Sequence, residues 1–479
     1  MTRAGGLETR ASPPALTAAE VSRLVGGRIT RGAGDTVLRG AAIDSRTITS
    51  GMLFVALAGT QTDGHGFVAD AFQRGAAGAV VSHPLPETPQ RAAIIEVEDT
   101  LRALHRLARA VRERQRLRVV GITGSVGKTS TKEMAASVAA RAFRTARSPE
   151  NWNTEIGIPL VLANLPEDRE VVVLEMAMRG PGQNRELVEI ARPEIGVVTN
   201  VGESHLDFFP SRDALAAAKG ELIEGLPEDG CAILNADDRL AWALRGRARG
   251  RVIAFGLERG EVRAEAVSLL PSGGSTFRLK TPGGQAQVTL RVPGRHSVHN
   301  ALAAAAVGVA LGIGADAVAA GLAEAAPVPM RLEVIRLGRT VLLSDVYNSS
   351  PQSVAAALDT LDEIEGSPRV VVLGDMKELG PHAVEAHRRV GRDTARRRID
   401  LLVAFGPLAR DLAAGAREAG GPRIVHTESL DDVLGLLMKE LVPGSVALIK
   451  GSRAMAMERI TAALMRPEPT GTPGRGASA

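Results

Sequence analysis

Gly121-Ile-Thr-Gly-Ser-Val-Gly-Lys-Thr-Ser-Thr-Lys132 is the stretch whose residue types and spacing point most directly to chemistry. The apolar run Arg118–Ile122 precedes it and a helical pattern follows, so it reads as strand, glycine-rich turn and helix start. Such a turn aims successive backbone N–H groups at phosphate oxygens, and the helix N-terminus adds roughly half a positive charge. Thr123, Gly124, Ser125, Val126, Gly127 and Ser130 would form the cradle. Lys128 would neutralise the β- and γ-phosphates, and the Thr129 hydroxyl would bind Mg²⁺. The general pattern places glycine five residues before Gly127, where this chain has Ile122, so a variant loop is expected. The lysine itself is informative, because only 7 of the 58 basic residues are lysine. A lysine kept in so arginine-rich a chain points to a need for a compact, titratable amine. Lys128, Lys219, Lys377 and Lys450 all fall in motifs.

Two further groups belong with the loop. Glu175 ends the apolar strand Val171–Leu174, and His205 follows the strand Gly196–Thr199. Both should lie at the C-terminal rim of a parallel sheet, where ligands of α/β folds bind. A carboxylate and an imidazole there could hold Mg²⁺ bridging ATP phosphates and an acyl oxygen.

The elements that must position these residues fall into three α/β blocks. The first (residues 1–115) has strands at Met52–Leu57, Ala79–Ser82 and Ala93–Val97 and a helix at Leu101–Arg112. The second (116–326) alternates buried-type strands with helices, adding Ala232–Leu234 and Val252–Phe255, which implies a parallel sheet covered on both faces. Between Val262 and Val292 the pattern turns alternating and turn-rich, predicting a small antiparallel excursion at the edge. Pro327-Val328-Pro329 favours extended chain and marks the next boundary. The third block (327–465) has strands at Val341–Ser344, Val370–Leu373, Leu401–Ala404 and Ala447–Ile449 and reads as a Rossmann-like domain. Residues 466–479 are Pro/Gly/Ser/Thr-rich and are expected to be disordered.

Composition narrows the function classes. The chain has 479 residues, 44% hydrophobic and 23% charged, which fits a globular multi-domain protein. Basic residues (58) nearly balance acidic ones (54), and aromatics at 3% leave few platforms for bases, so nucleic acid is not an expected partner. The Arg396-Arg397-Arg398 run reads as a solvated face. With Cys231 alone, no intrachain disulfide forms, and a reducing compartment fits. Glu8 stands where a signal peptide needs its apolar core, and the Ala301–Ala315 run is short for a membrane span, so a packed helix and a cytoplasmic, non-inserted, monomeric protein are expected.

The phosphate loop does not stand alone. Together with Glu150-Asn-Trp-Asn-Thr-Glu-Ile-Gly-Ile-Pro159, Glu175-Met-Ala-Met, Gly202-Glu-Ser-His205, Leu234-Asn-Ala-Asp-Asp238 and Gly294-Arg-His-Ser-Val-His-Asn300, it resembles the Mur ligase family over roughly residues 15–465. These are ATP-dependent amide-forming enzymes of peptidoglycan precursor synthesis. Asp345-Val-Tyr-Asn-Ser-Ser-Pro-Gln-Ser353 and Val372-Leu-Gly-Asp-Met-Lys-Glu-Leu-Gly380 are similar to the member that joins UDP-MurNAc-tripeptide to D-Ala-D-Ala. The resemblance implies ATP on the loop, Asn300 beside the adenine, and Arg331 at the γ-phosphate. It implies nucleotide contacts from Asp345, Tyr347 and Asn348, and Mg²⁺ held by Thr129, Glu175, His205 and a carbamylated Lys219. Ser45 and Arg46, in Asp44-Ser45-Arg46 near Asp63-Gly-His65, would hold the UDP sugar. Asn153, Thr154, Gln183 and Arg185 would contact the muramoyl-peptide, although Gly182-Gln-Asn-Arg departs from the Gly-Glu-Ile usual for this member. The loop Ile449-Lys450-Gly-Ser-Arg453 offers two cations and helix-entry amides, suited to the carboxylate of the dipeptide.

The reaction so implied activates the peptide carboxylate as an acyl phosphate, with hinge closure near Pro327–Arg331 completing the site. Two other readings stay open. One is the ligase adding the third amino acid or another Mur-type or folyl ligase, against which stand the missing Asp-Asn-Pro-Arg motif and the Asp44-Ser45-Arg46 segment. The other is a nucleotide-binding regulatory protein without turnover, although every expected catalytic position is occupied.

Overall fold

The computed structural model describes residues 12–59, 62–85, 92–203, 206–270 and 273–465. The tail expected to be disordered and the candidate ligand His205 lie outside these residues.

Three main sheets account for the chain. The first orders its strands Arg28–Arg31, Ala93–Glu96, Gly78–Val81, Leu53–Val55 and Ala41–Ala42, parallel except for the outer Arg28–Arg31. The helix Thr100–Arg114 starts where Asp99 accepts hydrogen bonds from the backbone N–H of Leu101 and Arg102. Its buried Leu104, Leu107 and Val111 close this core together with Leu160 and Ala163 of the central domain. Buried Arg112 donates to the Ala191 and Arg192 carbonyls, so the first domain is docked on the second and not merely tethered to it.

The central sheet has nine strands: Gly284–Leu290, Ser275–Thr281, Val262–Leu269, Arg251–Gly256, Cys231–Asn235, Ile195–Val198, Arg118–Thr123, Val171–Glu175 and Thr145–Arg147. The last six named pair in parallel, and Val171–Glu175 is buried along its whole length, as an apolar strand covered on both faces must be. The antiparallel excursion lies at the edge, as expected, and is continuous with the parallel sheet through the pairing of Phe255 with Val262. From Arg118–Thr123 the chain moves outward to Thr145–Arg147 and Val171–Glu175, then crosses to Ile195–Val198 on the other side. That reversal opens a crevice at the C-terminal ends of Arg118–Thr123 and Ile195–Val198. Cys231 sits in this sheet, and desolvation pushes its thiol up to about 11, which fits an inert core residue.

The third sheet orders Glu333–Leu337, Thr340–Asp345, Val446–Lys450, Arg369–Gly374, Leu401–Phe405 and Arg423–Thr427, with only the first pair antiparallel. Here Val446–Lys450 is inserted between two strands that follow one another in sequence, which makes a second crevice. Arg396–Arg398 lies at the surface as expected, with Arg397 held by Asp359 and Asp362.

One packing feature bears on the site. The apolar run becomes the helix Arg295–Ala310, in which Ala301 to Val307 are fully buried, followed by a turn and the helix Ala315–Glu324. Both pack on the phosphate-loop helix Lys128–Ala139, and small residues allow a close approach. A Cβ on Gly321 would come within 2.6 Å of the Val138 Cα, a backbone atom that cannot rotate away. No described helix is long and apolar enough to cross a membrane.

Gly321→Ala should therefore lower the stability of the central domain by about 1–3 kcal/mol, as overpacking does. Gly314→Ala, whose Cβ would meet nothing within 4 Å, should leave the thermal unfolding midpoint almost unchanged.

Candidate active site

The phosphate loop is held from behind. Thr199 and Asn200 follow the neighbouring strand, and Asn200 accepts the Ser125 N–H at its carbonyl (3.1 Å) and the Val126 N–H at Oδ1 (3.0 Å). The Val126 carbonyl accepts from Thr199 Oγ1 (2.7 Å) and Asn200 Nδ2 (2.9 Å). Gly124, at φ +153°, would place a Cβ 1.9 Å from Thr199 Oγ1, and Gly127, at φ +83°, would place one 2.2 Å from Asn300 Oδ1. Both glycines are forced by backbone conformation and by close approach. Ile122, the departure from the usual loop, is fully buried inside the sheet and pairs with Glu175 and Val197. The strand runs one residue past it, and Gly124 makes the turn.

Lys128 begins the helix and curls back, its Nζ donating to the carbonyls of Gly124 (2.9 Å) and Ser125 (3.4 Å). Desolvation lowers its pKa, and Arg331 adds to this while Glu175 and Glu378 oppose it. Buried Glu175 accepts from Thr129 Oγ1 at one oxygen (2.7 Å) and from Asn153 Nδ2 at the other (2.9 Å). Thr129 also accepts from Arg331 Nη2 at 2.9 Å, so the third domain reaches across to the phosphate loop. Arg331 stacks on Tyr347, with Cζ 4.0 Å from the ring centre. A hydroxyl and a buried carboxylate converging beside a phosphate loop are hard oxygen donors of the kind Mg²⁺ takes.

Lys219, in the helix Arg212–Glu224, is 1% exposed and makes no hydrogen bond or ion pair among the described residues. Burial, with the Lys128 charge behind it, pushes its amine well below the ordinary lysine value.

The other groups line a cleft of about 1070 Å³ between the central and third domains, whose lining does not include Lys219. Lys128, Thr129, Glu175, Asn153, Thr154, Gln183, Asn300, Arg331, Asp345, Tyr347, Asn348, Lys450 and Arg453 all border it. Thr154 Oγ1 accepts weakly from the Gly157 N–H at the start of the Gly157–Ala163 helix, and Gln183 Oε1 closes a turn by accepting the N–H of Arg179 and Gly180. Arg185 is not brought in. Its helix turns it towards a separate cavity of about 580 Å³ that it shares with Arg109 and Arg192.

Lys450 is a correction. It is 1% exposed, its Nζ lies 2.6 Å from Asp345 Oδ2, and it donates to the Asn348 carbonyl at 2.9 Å. Its charge is taken up by Asp345 and the Asn348 carbonyl, so it holds that loop in place and is not left free for a dipeptide carboxylate. Arg453 is exposed, near Met330 Sδ and 3.0 Å from Glu458.

Ser45 and Arg46 sit at the C-terminal ends of the first sheet's strands and do not border the cleft. Ser45 is buried, and exposed Arg46 forks the Asp44 carboxylate. Nearby, Asp63, His65 and His83 form a three-ligand cluster. His65 Nε2 accepts the Ser82 N–H (2.9 Å), so Nδ1 carries the proton and donates to Asp63 (2.6 Å). That tautomer leaves His65 no lone pair for a metal, and the group pins a turn.

Several contributors were not identified from sequence. Thr199 and Asn200 carried no motif beyond their place after a strand. Asp237 accepts three backbone N–H groups of the Leu257–Arg259 turn and faces His299, whose Nδ1 is buried without a partner among the described residues. Fully buried Lys132 donates to the carbonyls of Ser148 and Glu150, anchoring the segment that delivers Asn153.

Comparison with known proteins agrees along most of the chain. Residues 122–308 match the Mur ligase middle domain, 330–453 the Mur ligase glutamate ligase domain, and 38–112 the Mur ligase family catalytic domain. The UDP-N-acetylmuramoyl-tripeptide–D-alanyl-D-alanine ligase of Escherichia coli is 38% identical over 435 residues, covering 90% of this chain and 94% of that one. A crystal structure of MurF from Acinetobacter baumannii superposes with a TM-score of 0.87 at 32% identity, over 95% of this chain and 99% of that one. MurF from Thermotoga maritima in complex with ADP gives 0.79 at 28% identity, over 89% and 96%.

The reassignment of Lys450 predicts a stability effect. Lys450→Met leaves Asp345 partly buried and uncompensated and should cost about 3 kcal/mol. Adding Asp345→Asn should recover part of that loss, a coupling that a double-mutant cycle in denaturant would measure.

Proposed function

The chain belongs to the Mur ligase family, and from that premise we propose how its residues divide the family's chemistry. It is an ATP-dependent ligase that joins the terminal carboxylate of UDP-N-acetylmuramoyl-tripeptide to the amine of D-alanyl-D-alanine in peptidoglycan synthesis. The observation that carries the site assignment is the Arg331–Thr129 hydrogen bond, which joins the third domain to the phosphate loop in one cleft.

In this reading the amides of Gly127–Ser130 at the helix start cradle the ATP phosphates, those of Ser125 and Val126 being taken by Asn200, with Lys128 and Arg331 on the transferring phosphoryl group. Asn300 and the orphaned His299 Nδ1 face the base, and Asp345, Tyr347 and Asn348 complete the nucleotide pocket from the third domain. Thr129, Glu175, His205 and a carbamylated Lys219 would hold Mg²⁺, which when bound neutralises phosphate charge. The peptide carboxylate attacks the γ-phosphorus and ADP leaves. The dipeptide amine then attacks the acyl carbon and inorganic phosphate departs. Placement by Asn153, Thr154 and Gln183 supplies proximity, and the cations supply charge stabilisation. We assign the uridine diphosphate end to Ser45 and Arg46, where the exposed guanidinium can exchange Asp44 for a diphosphate. A single buried thiol fits a reducing cytoplasm, and we propose a monomer, since the central and third domains of one chain can supply the whole cleft.

Phosphate release from ATP with UDP-MurNAc-tripeptide, with and without D-Ala-D-Ala, tests the reaction. Release should require both substrates. Turnover instead with the shorter UDP-MurNAc-dipeptide and a free amino acid would identify the ligase of the preceding step.

Lys219 provides a second test. Its depressed pKa supplies the neutral amine that CO₂ needs, and loss of one proton leaves an anionic carbamate able to ligate a metal. Lys219→Ala should be nearly inactive and partly rescued by short carboxylic acids. A free amine at Lys219 in crystals of fully active enzyme would exclude the carbamate.

A further inference from the structure

We propose that Lys377 and Glu378 clamp the zwitterionic dipeptide, Lys377 pairing with its free carboxylate and Glu378 with its ammonium. The proposal rests on the ligase reading above and deepens it.

Both residues border the cleft, on the loop that leaves the strand Arg369–Gly374. That loop is fixed from several sides. Asp375 is fully buried, and one of its oxygens accepts the Ala409 N–H (2.8 Å) at the N-terminus of the Ala409–Glu418 helix. The Met376 N–H donates to His387 Nε2 (3.0 Å), and the Lys377 N–H donates to Ser452 Oγ (3.0 Å). The Lys377 ammonium lies 2.8 Å from the other Asp375 oxygen, yet its side chain is 39% exposed. Asp375 thus shares its charge between a helix N-terminus and Lys377, and an ammonium with three donors can take a second anion.

Glu378 brings the opposite charge to the same cleft. It lies 3.6 Å from Arg179, and its charge reaches Lys128 on the phosphate loop, where the acyl phosphate must form. Its backbone is left-handed at φ +61°, a conformation that costs a non-glycine residue energy and gathers at binding sites. Buried Leu379, and Gly380 close against Asp207, hold the turn in place. The charges of an extended dipeptide are about 7 Å apart, which side chains as long as lysine and glutamate on consecutive residues can span. Of the other cations nearby, Lys450 is buried on Asp345, while Arg453, exposed beside Glu458, is the competing partner that the kinetics must separate from Lys377.

Steady-state kinetics with D-Ala-D-Ala and with its C-terminal amide separate this clamp from a structural role. Lys377→Met should raise KM for D-Ala-D-Ala by about tenfold, the worth of one charge-assisted hydrogen bond, with KM for ATP little changed. It should also erase the wild-type preference for the free acid over the amide, whereas Lys377→Arg should keep part of it. Glu378→Gln should raise KM for acid and amide alike. If Lys377→Met keeps the preference, or shifts KM for ATP equally, the clamp is wrong, and loss of preference in Arg453→Ala would place the carboxylate there. A wild-type enzyme that releases no phosphate with tripeptide and dipeptide would overturn the ligase reading itself.

Discussion

A loop that binds polyphosphate must keep its amides pointed at a ligand while that ligand is absent, so it cannot be stabilised through those amides. This chain stabilises it through the opposite side. Thr199 and Asn200 take the Val126 carbonyl and two N–H groups that face away from the crevice, and they follow a strand hydrogen-bonded to the one that feeds the loop. The reversal of strand order that opens the crevice also supplies the residues that stiffen it. The helix behind the loop is pressed from its other face by the alanine-rich Arg295–Ala310 helix, which also delivers Asn300 against Gly127. Position, rigidity and charge at the loop therefore come from the packing of one domain.

The scarce lysines show how a compact amine is used in that setting. Lys132, Lys219 and Lys450 are each at most 1% exposed. Lys132 and Lys450 have carbonyl or carboxylate partners and act as point charges that hold irregular loops. Lys219 differs, because burial and the neighbouring Lys128 both disfavour its charged form. A guanidinium would stay charged in that position and could not take up CO₂. Lysine content alone could not separate these roles, since retention of a lysine marks a need for the amine without saying what faces it.

Much of the fold was legible because buried parallel strands are continuous apolar runs: Val171–Glu175, Arg369–Gly374 and Val446–Lys450 were visible to within a residue or two. Among the strands that went unseen, Thr145–Arg147, Glu333–Leu337, Arg423–Thr427 and Arg28–Arg31 lie at sheet edges, where charged residues are tolerated and apolar patterning weakens. The central site was legible wherever glycine, lysine and carboxylate fell at fixed offsets from a strand end. The second layer was not, because Asn200, Asp237 and Lys132 act through partners far off in sequence. Lys450 was misread for the same reason. Its position after a strand is that of a ligand-binding loop, but its partner Asp345 ends the adjacent strand, and that pairing becomes known only with the register of the sheet.

That register also bears on how the cleft closes. Besides Arg331 and packing contacts such as Gly380 on Asp207, the third domain meets the central one through the ion pairs Arg179–Glu378 and Arg389–Glu203, both between partly exposed side chains. Exposed pairs of this kind contribute about 0–1 kcal/mol each, too little to hold two domains shut. Arg331 is better placed, stacked on Tyr347 and donating to Thr129, but Thr129 is one of the groups a bound nucleotide and its metal would engage. Nucleotide binding would replace this contact with stronger, charge-assisted contacts to phosphate. On the ligase reading, closure draws its free energy from the nucleotide, and once phosphate departs the weak rim pairs do little to oppose reopening.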